Sequence, residues 1–139
     1  MSRPTLHLTN AASRRPPQRG PGRVWTIMAA PRARYGEAGE GVCTALVPPL
    51  EWVKAALAGD LPLAEYRVRY LESLDEIRRQ LAPGLLATRH GEIVADGDTL
   101  ICACSRERAA RGECHRVWAA WVLAAEGWRV LLDGVEVEP

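Results

Sequence analysis

Between residues 62 and 82, apolar side chains recur at three- and four-residue steps. Leu63, Tyr66, Tyr70, Leu74, Ile77 and Leu81 form one stripe, while Arg67, Arg69, Glu72, Asp75, Arg78 and Arg79 fall mostly elsewhere. This period predicts a helix, ended by Pro83-Gly84. A shorter helix is expected after Pro48-Pro49, running to about Ala58 and closed by Gly59. "RVWTIMA" (23–29) has the β-branched and aromatic content of a buried strand. "TLICACS" (99–105) reads as a second, preceded by the turn "ADGD". "CHRVWAAWVLAAEG" follows as a helix, with Gly127 placed as its C-terminal cap. In "WRVLLDGVEVEP" the pattern alternates: Trp128, Val130 and Leu132 share a face, and Asp133-Gly134 is a hairpin turn.

The last part therefore reads strand, loop, helix, strand, a βαβ unit with parallel strands and a right-handed crossover. With the earlier strand and helices it predicts an α/β fold: a single three-layer domain with a mostly parallel sheet. The 139 residues suffice for one core. Residues 1–22, rich in Pro, Arg, Ser and Gly, are expected to form a loop or arm ordered only around "LHLTNA", leaving residues 23–139 as the domain. "APRARYGEAGEGV" reads as a long loop leaving a strand end, a common place for binding residues.

Composition narrows the setting. The longest apolar run, within 117–125, is far short of the roughly 20 residues that cross a bilayer. Arginines interrupt the proline-rich N-terminal stretch where a signal peptide needs an apolar core. A cytoplasmic protein without a membrane partner is expected, and its four cysteines need not form disulfides. The net charge of +1 conceals an asymmetry: residues 1–34 carry seven arginines and no acid. Lys54 is the only lysine. A basic arm points towards polyanions, and the alternative is a solvated tail.

The chemistry gathers at Cys114, His115 and Arg116. They open a helix after the arginine-rich loop "SRERAARGE", at the carboxyl end of a strand where ligands of α/β sheets bind. A helix N-terminus is a prepared anion site, and Ser105, Arg106, Arg108, Arg111 and Arg116 would surround it. Arginine suits phosphate through its planar fork. Four readings stay open. A phosphate-bearing ligand such as a nucleotide is clamped by Arg116 and a loop arginine. Cys114 is a nucleophile, lowered in pKa by the helix end, with His115 as acid or base. Cys102, Cys104, Cys114 and His115 bind zinc, although the spacing is not that of paired CxxC motifs. Or the cysteines are small core residues. The expectation carried forward is neither a metal nor a cofactor.

"LICACS", "ECHRVWAAWVLAAEG" and "WRVLL" together resemble the ending of the DUF488 family: a hydrophobic strand, a loop, the tripeptide CHR opening a helix, and a last strand after a glycine. The resemblance extends upstream through "LHLTNAAS", "APRARYG", "LVPP" and the tyrosine pair Tyr66 and Tyr70. It implies an α/β fold with the CHR end facing a pocket, and nucleotide or nucleic-acid roles without a defined reaction. Members often carry Ser-Arg directly after the first strand; here "MAAPRAR" offers Arg32 or Arg34 for that role. Tyr66 and Tyr70 either pack or contact a base. Asn10 is a ligand contact or a turn residue, and Tyr35 a contact or a loop anchor. The leading expectation is binding of a phosphorylated, nucleotide-like small ligand. The alternatives are an enzyme acting on nucleotide or nucleic acid through Cys114 and His115, and a nucleic-acid binder using the arginine-rich arm.

Overall fold

Leu6 and Leu8 alternate with Thr5, His7 and Thr9, a period of two that places the leucines on one face of a strand. That strand, β1 (Thr5–Asn10), is the middle of the sheet. The computed structural model describes residues 3–13, 15–29, 41–104 and 106–139. The sheet also contains β2 (Val24–Thr26), β3 (Thr99–Cys102), β4 (Arg129–Leu132) and β5 (Val135–Val137), in the order β2-β3-β1-β4-β5. β1 lies parallel between β3 and β4, with Leu8 level with Leu100 and Leu132. The expected βαβ unit is therefore present, with β1 inserted between its two strands. The hairpin β4–β5 adds the antiparallel edge. Its turn places both Asp133 (φ 49°) and Gly134 (φ 86°) in the left-handed region that such a two-residue turn requires.

The helices are α1 (Leu50–Leu57), α2 (Leu63–Glu76), α3 (Arg106–Ala110) and α4 (His115–Ala125). The predicted long helix is α2 followed by a tighter turn, Arg78–Leu81. Tyr66, Tyr70 and Leu74 form its buried row at i, i+4 and i+8. α4 is buried on nearly every side, with Trp121 its exposed large residue. Its neighbours are β1, β4 and β5 on one side and α2 on the other. Ala119, Ala120 and Ala124 keep that helix thin enough to be enclosed. Trp118 meets Tyr66 edge to face at 5.1 Å between ring centres. Three buried tryptophans anchor the core with their N–H groups satisfied: Trp25 donates to Asp98, Trp118 to the carbonyl of Gly112, and Trp128 to that of Leu81.

Two expectations are corrected. Among the described residues, the stretch expected as an arm is not one: Thr5–Asn10 is the central strand, and the segment around Pro17 and Gly20 lies against the sheet. The His7 ring meets the carbonyl of Pro17 at 3.0 Å, and Gly20 N–H donates to Thr99 Oγ1 at 2.9 Å. Any β-carbon on Gly20 would lie 2.1 Å from the Gly97 carbonyl oxygen, so only glycine fits. Part of the layer opposite the helices is thus this coil. The arginine-rich stretch before Cys114 is not all loop, since its first half is the short helix α3.

Candidate functional site: a thiol cluster under the CHR helix

β3 ends at Cys102, and Cys104 lies two residues on, so alternation sends both thiols towards the helical layer. The crossover brings Cys114 down onto them as the N-cap residue of α4. All three Sγ atoms lie within 4.8 Å of one another, and those of Cys102 and Cys114 are 3.3 Å apart. Cys102 and Cys114 are fully buried, whereas Cys104 is half-buried.

Arg116 is the cation of this cluster. Sequence reasoning made it a ligand clamp; the structure corrects that, because its side chain has no exposed surface. Nη2 forks onto Asp133 at 2.9 and 3.2 Å. Nη1 donates to the Cys104 carbonyl at 2.8 Å and to Cys102 Sγ at 3.0 Å. Asp133 in turn accepts from Thr9 Oγ1 at 3.0 Å. A buried guanidinium needs such partners to offset its lost hydration. Arg116 therefore acts on the cluster from inside the core.

The electrostatics separate the thiols. Hydrogen bonds from Cys102 and Cys114 draw Cys104 far below the ordinary thiol range against the effect of burial, and Arg108 and Arg116 add to the shift. Cys114 moves the other way: its hydrogen bonds to Cys102 and Cys104, then burial, hold it well above that range. The two shifts run in opposite directions, down at the half-buried Cys104 and up at the enclosed Cys114. The lowered thiol pKa expected at Cys114 is found instead at Cys104. Position 104 was singled out as a core or zinc residue; its depressed thiol became visible only once two sulfurs and a guanidinium surrounded it.

Cys104 opens onto a cavity of about 230 Å³. Its walls include Met28, Val53, Leu57, Leu61 and Tyr66, with Arg108 and Glu113 as the charged members. His115 also lines it, but its Nε2 meets the Ile27 carbonyl at 2.8 Å, so that nitrogen carries the proton. Burial lowers its pKa and keeps the ring neutral. Tyr66 contributes to the wall. Tyr70 does not: its hydroxyl donates to the Leu46 carbonyl at 2.8 Å inside the core. Asn10 is a turn residue, its Oδ1 accepting from the Ser13 amide and hydroxyl. Arg111 is exposed and paired with Glu113 at 2.6 Å. Arg19 donates to the carbonyls of Ser13 and Ala11. Ser105, Arg32, Arg34, Tyr35 and the side chain of Arg106 lie outside the described residues.

The three sulfurs are the metal-capable set among the described residues. His115, expected as a fourth ligand, is held by Ile27 and is not in that set. The cation already facing the sulfurs is a guanidinium, with Nη1 also 3.6 Å from Cys114 Sγ. No described helix is long and apolar enough to cross a membrane. Comparison with known proteins returned no match to any family model, any curated protein or any solved structure.

Proposed function

We propose that this protein performs nucleophilic thiol chemistry on a small molecule with an apolar body and an anionic end, using Cys104 as the nucleophile. One observation carries the reading: the half-buried thiol that lines the cavity is also the one whose pKa its neighbours draw down. The aliphatic walls accept the body of the ligand, and Arg108 meets its anionic group. Arg116 and Asp133 position the charge. In this reading the CHR tripeptide of the DUF488-like ending supplies a neighbouring thiol, a cavity wall and the buried cation. The cytoplasm, the compartment the sequence favours, keeps the thiols reduced.

The test is the pH dependence of alkylation by iodoacetamide, mapped by peptide mass. Cys104 should label at pH 6 at nearly its plateau rate, and Cys104→Ser should lose that fast phase. Labelling that follows an ordinary thiol titration near 9, or that falls first on Cys114, overturns the reading. A phosphorylated, nucleotide-like ligand is the second reading, favoured by Arg108 on the cavity wall. Protection of Cys104 by a nucleotide but not by simple carboxylates would select it.

A further inference from the structure

A nucleophile alone does not need two further thiols. Cys102 and Cys114 stand within 4.8 Å of Cys104 Sγ and of each other, and neither lines the cavity. Of the two, Cys102 is poorly placed to bond Cys104. Residues two apart along an extended chain are separated by about 6.6 Å, at the upper limit for a disulfide. Cys114 comes from another element, as the N-cap residue of α4, where the positive end of the helix dipole favours a developing thiolate.

We propose that Cys104 and Cys114 form a dithiol–disulfide pair, so that the substrate of this site is a small disulfide, which the protein reduces. The proposal rests on Cys104 being the thiolate nucleophile. The Cys104 thiolate attacks one sulfur of the substrate, the substrate S–S bond breaks, and one substrate thiolate leaves and takes up a proton. Cys104 is then a neutral mixed disulfide. The hydrogen bond and repulsion that Cys104 exerts on Cys114 then disappear, those of Cys102 remain, and Arg116 stays in place 3.6 Å from Cys114 Sγ. Cys114 loses its proton and attacks Cys104 Sγ, releasing the second substrate thiol. Two electrons pass from the cysteine pair to the substrate, and two equivalents of an external thiol restore the dithiol and leave as their own disulfide. Arg116 thus serves two thiolates in turn, which explains a buried cation fixed between sulfurs.

Dithiobis-nitrobenzoate, an aromatic disulfide bearing carboxylates, is the probe. The wild-type chain at pH 7 should release a second equivalent of thionitrobenzoate at a rate independent of reagent concentration. It should end without an adduct, two hydrogens lighter, with a Cys104–Cys114 crosslink by peptide mapping. Cys114→Ser should stop after one equivalent and retain the adduct on Cys104, whereas Cys102→Ser should still close the crosslink. A stable adduct on wild-type Cys104 beside a free Cys114 overturns this inference and leaves the nucleophile intact. Absence of the first equivalent on Cys104 overturns both. The wild-type result stands whether or not a variant folds.

Discussion

Replacing Asp133 by Asn isolates one charge. Asparagine tolerates the left-handed backbone at this position and keeps an oxygen for Thr9 Oγ1. What disappears is the counter-charge of a guanidinium with no exposed surface. Removing one partner of a buried ion pair costs about 3–5 kcal/mol. Here Asp133 keeps 18% of its side-chain exposure, and Arg116 retains the Cys104 carbonyl and the Cys102 sulfur. Partial solvation and these remaining acceptors bring the expected loss to about 2–3 kcal/mol. With an unfolding entropy of about 2.1 cal/mol/K per residue, the melting temperature should drop by about 7–10 °C. Circular dichroism melts of Asp133→Asn against wild type measure this. Glu136→Gln, which breaks the exposed pair with Arg129, is the control and should move little. A melting temperature for Asp133→Asn within about 1 °C of wild type would refute the view that this pair holds the cluster together.

Two further predictions concern pH. The folded state holds the His115 pKa below its usual 6.5, so it binds fewer protons than the unfolded chain and loses stability as pH falls below 6.5. His115→Gln, which can still donate to Ile27, should flatten the melting-temperature slope between pH 7 and 5.5; a slope equal to wild type contradicts the buried neutral ring. Burial pushes the Cys43 thiol from 9.0 up to about 12, so its contribution is present below 9 and lost as pH rises through that window. Unfolding free energies from urea titrations between pH 8.5 and 10.5 should fall less steeply in Cys43→Ala, by up to about 1.4 kcal/mol per pH unit, and parallel slopes would rule the effect out.

Much of the fold was legible because it rests on local period. The α2 stripe, the capping glycines Gly59 and Gly127, and the Asp133-Gly134 turn all follow from spacing and backbone preference. β1 was undervalued: Leu6 and Leu8 do alternate, but the prolines and arginines after them disguised a central strand as an arm. The site was legible in place and not in role. Period two put Cys102 and Cys104 on one face, and the CHR stretch marked the helix end. That Cys114 would turn onto those sulfurs, and that Arg116 would be neutralised by Asp133, depend on the crossover and the final hairpin. No spacing along the chain encodes those contacts.

The placement of β1 also has a consequence for synthesis. This strand is made before both of its neighbours, which begin at Thr99 and Arg129. At about 5–20 residues per second, β1 waits roughly 5–20 s with both edges open. Its threonines and His7 make that edge a weaker aggregation template than an all-apolar strand. The same delay applies to reactivity. Cys104 leaves the ribosome after Cys102 but before Arg108, Cys114 and Arg116, which also lower its pKa, and the buried cation is not balanced until Asp133 has followed. In the nascent chain the Cys104 thiol therefore lacks these neighbours until the crossover and the hairpin have closed.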